Sequence, residues 1–280
     1  MRITIFGATG LLGKALMSEW TGDEVTGLAS SDGDIRDEKR VFELVGQSRP
    51  DWIVLAAAYT DVDRCETNRE LAFDVNCGGA VNVARAARQH NRRLIFLSTD
   101  YVFDGTKTAP YDTSDPRLPQ SIYGQSKAQA ELQISQVLPD CCILRTSWLF
   151  GAGGKCFPDT ILKLASTRPK LEVVSDQRGS PTYVKDLAGA IAQLCRKDAK
   201  GIVHATNSGE CSWYEFAREI IKRSGLKTNV VETSSDKFVR PAKRPKYSVL
   251  SAEGLHAYGI TMPDWRDALQ RYLAAERDSQ

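Results

Sequence analysis

A short β-branched run, Arg2-Ile3-Thr4-Ile5-Phe6, breaks into Gly7-Ala8-Thr9-Gly10-Leu11-Leu12-Gly13 and then into a helical pattern from Lys14 to Trp20. Strand, glycine turn and helix in that order open a βαβ unit. Three glycines let the backbone turn tightly, approach a ligand and pack against the sheet, while free N–H groups at the helix start attract the charge of a pyrophosphate. The alternation then recurs, with strands at Glu24–Leu28, Trp52–Ala58 and Arg92–Ser98 and helices at Glu38–Gln47 and Arg69–His90. Repeated strand–helix units imply a parallel sheet covered on both faces.

A Pro/Asp-rich loop from Asp104 to Pro119 leads to a helix over Tyr123–Val137 and a strand over Cys141–Thr146, after which the regularity loosens. Helices follow near Phe157–Ser166, Val184–Arg196, Trp213–Ser224 and Trp265–Ala275, and strands at Leu171–Val174 and Ile202–Ala205. The fold class expected is α/β, a doubly wound parallel sheet of Rossmann type with a smaller C-terminal substrate-binding lobe. Residues 1–147 form the dinucleotide-binding part, 182–205 return to it, and 148–181 with 206–280 make the lobe.

Charge excludes several functions. With 37 Lys+Arg against 35 Asp+Glu in 280 residues, the net charge is +2, too small for a dedicated nucleic-acid or membrane-surface binder. The apolar stretches fall far short of the ~20 residues that span a bilayer, and no signal peptide is expected. Seven cysteines, Cys65, Cys77, Cys141, Cys142, Cys156, Cys195 and Cys211, contain no C-x-x-C pair, so they read as small apolar fillers in a reducing compartment, the cytoplasm. Three histidines, His90, His204 and His256, make a histidine-rich metal site or a Ser/His/Asp hydrolase improbable.

The residues that carry chemistry are Tyr123-Gly124-Gln125-Ser126-Lys127, preceded by Ser98-Thr99-Asp100 at a predicted strand end. Tyr123 and Lys127 are four apart on a helix and project from one face, so the ammonium is expected close to the phenol, where it lowers a pKa of ~10 into a working range. Lys127 is then a tuner, and Thr99 hydrogen-bonds the same carbonyl oxygen that Tyr123 protonates. At the end of the second strand, Gly27-Leu28-Ala29-Ser30-Ser31 offers no carboxylate to a ribose 2′-hydroxyl and no arginine, with Arg36 several residues on. That leans toward NADPH, with NADH possible. Four cations, Arg240, Lys243, Arg244 and Lys246, share a proline-stiffened segment, and Arg244 is the one expected on a diphosphate.

The runs Ala56–Asp63, Ser98–Gly105, Tyr123–Lys127, Arg145–Phe150, Asp176–Thr182, Arg244–Ser248 and Pro263–Trp265 resemble the dTDP-4-dehydrorhamnose reductases of the extended short-chain dehydrogenase superfamily, along nearly the whole chain. The glycine spacing is also the form typical of that superfamily. The resemblance implies reduction of the 4-keto group of dTDP-4-dehydro-6-deoxy-L-mannose by NAD(P)H to dTDP-L-rhamnose. It implies Thr99, Tyr123 and Lys127 as catalytic, Lys127 also holding the nicotinamide ribose. Gly7, Gly10, Leu11, Leu12, Gly13, Asp34, Ile35, Ala58, Tyr59 and Thr60 are implied around the dinucleotide, with Asp34-Ile35 against the adenine. Substrate contacts are implied for Thr99, Asp100 and Trp148, though Trp148 also reads as a core aromatic. Asn76 matches a proton-relay position, or is a solvent-facing residue of its helix. Some members hold magnesium between two subunits with a glutamate after the glycine loop; Gly13-Lys14-Ala15-Leu16 lacks it, so no metal is expected and the chain is a monomer or a homodimer. Two alternatives stay open: a reductase or epimerase of another nucleotide sugar, and a non-catalytic subunit like the regulatory partner of methionine adenosyltransferase.

Overall fold

The computed structural model describes residues 1–278, so the last two residues of the expected lobe lie outside the described residues. The first half alternates β1 (Arg2–Phe6), α1 (Leu11–Glu19), β2 (Glu24–Leu28), α2 (Glu38–Ser48), β3 (Trp52–Leu55), α3 (Val62–Thr67), α4 (Arg69–Phe73), α5 (Ala80–Gln89), β4 (Arg93–Thr99), α6 (Ile122–Val137) and β5 (Cys142–Thr146). The second half adds β6 (Leu149–Phe150), α7 (Phe157–Ala165), β7 (Lys170–Val174), β8 (Arg178–Gly179), β9 (Thr182–Tyr183), α8 (Val184–Arg196), β10 (Gly201–His204), β11 (Cys211–Ser212), α9 (Trp213–Ser224), β12 (Asn229–Thr233), α10 (Glu253–Ala257) and α11 (Trp265–Asp278).

Six of these strands make one parallel sheet in the order β2-β1-β3-β4-β5-β10, the doubly wound α/β sheet expected from the alternation. Winding reverses at β1 and β3, so a crevice opens beyond their carboxyl ends, where the glycine loop lies. Period-two side-chain alternation divides the sheet residues between two cores. Ile3, Ile5, Trp52, Val54, Ile95, Leu97, Cys142 and Leu144 face α1 and α8, while Phe6, Ile53, Leu55, Leu94, Phe96 and Ile143 face α2, α5 and α6. Because both faces are covered, β3 reads Trp-Ile-Val-Leu with every residue buried.

Outside the main sheet lie three small ladders, β7 with β12, β8 with β11, and β6 with β9. The aromatic residues Phe150, Phe216, Trp265 and Tyr272 belong to the same apolar cluster that covers the α1 and α8 face of the sheet. Among the described residues no helix is long and apolar enough to cross a membrane.

One expected helix is divided. The continuous helix expected over Arg69–His90 is α4, then a π-helical turn over Asp74–Gly79, then α5. The widened turn places Asn76 inward, where it is buried and bonded to the backbone of Tyr59, so the solvent-facing reading of Asn76 is overturned.

Candidate active site

The glycine loop is shaped by contacts that no larger residue survives. Gly7 has φ 89°, and a Cβ on it would stand 2.6 Å from the Ala57 amide nitrogen. A Cβ on Gly13 would stand 2.1 Å from the Gly7 carbonyl oxygen. Gly10 is the N-cap of α1 and no side chain caps that helix, so first-turn N–H groups are left to meet an anion. Gly7, Gly10, Asp34, Ile35 and Ala58 line a crevice of about 370 Å³ together with Thr9, Ala29, Ser30 and Arg36. An uncapped helix start, a backbone cradle that a Cβ would fill, and an apolar wall at Ile35 fit a dinucleotide. Other members of the expected set stand back from it. Leu12 is buried in the core, Leu11 packs beside Gly154, and Thr60 is exposed.

At the adenosine end Asp34 is engaged by Arg36, whose Nε donates to both carboxylate oxygens at 3.1 and 2.9 Å. That bond holds the Asp34 carboxyl below its usual range, and the guanidinium stands beside Ser30 in the crevice. A 2′-phosphate would meet a neutralised carboxylate and two donors there.

The second group of residues sits on α6 and the end of β4. Ser121 caps α6 by accepting from the Gly124 amide (3.2 Å), and Gly124 lets the helix approach the Tyr101 carbonyl, from which a Cβ would be only 2.2 Å away. This seats Tyr123 near Thr99, whose hydroxyl acts on the phenol, and edge-on to Tyr101 at 5.7 Å. The Tyr59 ring packs in the same cluster as Tyr123. Lys127 departs from the sequence reading. Its Nζ donates to the Leu97 carbonyl at 2.5 Å and lies 4.0 Å from the Phe96 ring centroid. The Tyr123 phenol, expected to shift downward, is pushed up by burial and by the neighbouring Asp100 carboxyl. Desolvation dominates, and the helix-spaced Lys127 does not counter it, so the phenol is held in its protonated form.

Asn76 clamps the loop after β3, accepting from the Tyr59 amide at 2.7 Å and donating to the Tyr59 carbonyl at 3.1 Å and to Ser126 Oγ at 3.0 Å. It thereby fixes the peptide after Ala58 at the edge of the crevice.

On the other side of Tyr101 lies a cavity of about 670 Å³ walled by Phe157, Trp213, Phe238, Gln177, Arg240 and Arg244. Trp148 holds φ 48°, a costly left-handed conformation for a bulky residue, and stacks face to face on Trp213 at 3.5 Å. Arg244 makes a two-toothed pair with Asp63, at 3.1 and 2.9 Å, and Arg240 reaches the same carboxylate at 3.4 Å. Both guanidiniums are thus brought to the cavity wall, Arg244 already ordered. Tyr101, Trp213 and Asp63 form this site without having been singled out in the sequence. The runs Ser98–Gly105 and Ala56–Asp63, which contain Tyr101 and Asp63, carried a signal; a tryptophan opening a helix carries none.

Asp100 is buried and accepts from Thr99 Oγ1 at 3.0 Å. Burial pushes its carboxyl up to about 6, the Ser248 and Thr99 hydroxyls opposing that only in part. A folded-state value above the unfolded 3.8 means that Asp100 favours folding below about pH 4 and loses that contribution as the pH rises through about 6. Asp100→Asn should therefore be more stable than the wild type by about 2–3 kcal/mol at neutral pH, with the difference shrinking on acidification. Denaturant titrations of both proteins across that pH range check it; a difference that does not change with pH removes the assignment.

The chain matches the model of the RmlD substrate binding domain over residues 1–277. It is 42% identical to the spore coat polysaccharide biosynthesis protein SpsK of Bacillus subtilis, over 99% of this chain and 98% of that one. It is 38% identical to a dTDP-4-dehydrorhamnose reductase of Mycobacterium tuberculosis, over 99% of this chain and 94% of that one. The crystal structure of a dTDP-4-dehydrorhamnose reductase from Bacillus anthracis in complex with NADP superposes with a TM-score of 0.96 at 38% identity, covering 98% of this chain and 99% of that one.

Proposed function

Because the chain belongs to the RmlD substrate-binding domain family, we propose that it is a reductase that converts dTDP-4-dehydro-6-deoxy-L-mannose into dTDP-L-rhamnose, using NADPH and, less selectively, NADH. The observation that carries this reading is the position of the Tyr123 phenol. It lies near Thr99, between Tyr59, next to the glycine-loop crevice, and Tyr101, on the wall of the aromatic cavity.

When bound in the crevice, NADPH supplies the hydride that reduces carbon 4. The chain's own groups do the rest. The start of α1 and Gly7 receive the pyrophosphate, and Arg36 with Ser30 receives the 2′-phosphate. Tyr123, kept protonated by burial, gives its proton to the ketone oxygen as negative charge develops there, and Thr99, whose hydroxyl rests on Asp100 Oδ1, would turn to donate to that oxygen and orient it. Lys127, one turn along α6 with its Nζ on the Leu97 carbonyl, would hold the nicotinamide ribose through its ammonium. In the cavity Trp213 and Phe157 offer faces to the base, Trp148 backs Trp213, and Arg244 with Arg240 takes the diphosphate. Asp100 holds Thr99 in place beneath the sugar.

All seven cysteines are free and buried, which suits the reducing cytoplasm. Every group invoked belongs to one chain, so a monomer or a homodimer serves equally.

Incubating the protein with NADPH and a panel of nucleotide-linked 4-keto sugars, with products identified by NMR, tests the reading. The dTDP-keto sugar should be turned over and its product should be the L-rhamnose epimer; consumption of a different sugar alone would transfer the activity to that substrate. Arg244→Gln should raise KM for the nucleotide sugar roughly 10–100-fold, the worth of a charge-assisted contact, while NADPH affinity stays unchanged. An unchanged KM would remove Arg244 from the diphosphate site.

A further inference from the structure

Helix α6 carries Tyr123, Lys127 and Glu131 four residues apart in one stripe. Lys127 and Glu131 are buried. Lys127 has the Leu97 carbonyl and the Phe96 ring on the β4 side, and the titratable groups that face it are Glu131, one turn along its own helix, and Cys77 from the π-helical turn. A buried amine with so little polar company tends to lose its proton. Burial takes Lys127 down to about 7, and the Glu131 carboxylate is the main influence in the opposite direction.

Glu131 is itself fixed on all sides. Oε1 accepts from Ser98 Oγ at 2.6 Å and from Arg145 Nε at 2.9 Å, and Oε2 accepts from Arg145 Nη2 at 2.7 Å and from Arg117 Nη1 at 3.2 Å. Burial works against this carboxylate's charge, but Arg145, Ser98 and Arg117 together hold its pKa below the usual glutamate value. Behind Arg145 stands His204, with Nε2 at 3.3 Å, whose burial lowers its pKa to about 4, so no further cation forms there near neutrality. Ser98 is adjacent to Thr99, so the same carboxylate ties α6 to the strand end that carries the other half of the proton-donating pair.

We propose that Glu131 is a positioning residue, a buried counter-charge that keeps Lys127 an ammonium and holds α6 in register with Thr99. The proposal rests on the reading that Lys127 acts as a cation toward the coenzyme. Arg117 works against Glu131: by pairing with it, Arg117 weakens the field that reaches Lys127.

A purely structural clamp and a counter-charge differ in sign. Glu131→Gln keeps the shape and removes the charge, so the alkaline midpoint of NADPH binding, followed by fluorescence without any sugar present, should move down by about one pH unit. Arg117→Gln unshields the carboxylate, so the same midpoint should move up, by about half a pH unit. The Arg117 side chain is 32% exposed, so this variant retains the fold. Opposite movements support the proposal. Midpoints that stay put, or move together, overturn it. If Glu131→Gln does not fold, with Arg145 left buried and unpaired, the Arg117→Gln midpoint decides alone: upward supports, unchanged or downward overturns. Because the titration contains no sugar, opposite movements in a protein that fails to reduce the dTDP-keto sugar would sink the substrate assignment and leave this inference standing.

Discussion

Tyr123→Phe is expected to lower kcat by about 10²–10⁴-fold, the usual worth of a general acid, with NADPH affinity and thermal stability unchanged. The substitution deletes one oxygen near Thr99 and leaves the ring edge-on to Tyr101. Packing survives because the ring is what packs. The loss should fall on kcat and on kcat/KM alike, since the proton is delivered only as the oxygen becomes negative. Steady-state turnover with the dTDP-keto sugar, beside an NADPH binding titration, separates the two quantities. Wild-type kcat in this variant would falsify the assignment of Tyr123 as the acid.

Gly7→Ala should cost more than any other single methyl group in the crevice. The residue sits at φ 89°, and the added carbon would stand 2.6 Å from the Ala57 nitrogen and 2.8 Å from its Cα, both backbone atoms that cannot rotate away. Left-handed strain and overpacking together predict a loss of about 3–4 kcal/mol and no measurable binding of NADPH. Calorimetric unfolding and a coenzyme titration measure both. If the variant melts with the wild type and still binds NADPH, the loop is not the cradle described above.

These two sites were legible in the sequence for different reasons. Gly7 announced itself because a glycine between a β-branched run and a helical pattern has few other reasons to exist. Tyr123 and Lys127 were legible by spacing, and the strands by their alternation, which the two cores on either side of the sheet explain. Electrostatics were less accessible. Helix spacing placed a cation near the phenol, but it could not reveal that the amine turns to the Leu97 carbonyl or that desolvation and Asp100 dominate the phenol. The π-helical turn at Asp74–Gly79, Asp-Val-Asn-Cys-Gly-Gly, is poor in helix formers, but no local signal separates a widened turn from the helices on either side of it. Asp63 lay in a quoted run, but its pairing was hidden because its partner Arg244 lies 181 positions away, and Trp213 was hidden because nothing local to it encodes the stack with Trp148.

The apolar cluster that runs from Ile3 and Val54 through Phe150 to Trp265 and Tyr272 has a mechanical consequence. Two halves welded through one interior cannot swing apart like jaws without exposing it to water. Admission of a nucleotide sugar therefore falls to the rim, and the stretch of chain from Ser235 to Ser248 is suited to it. That stretch is tethered by Asp176 at Ser235, by Asp63 at Arg244 and by Arg178 at Ser248, and between the first two tethers Phe238 and Val239 project into solvent. The tethers at Asp176, Asp63 and Arg178 hold that rim segment against the body, where Arg244 walls the aromatic cavity.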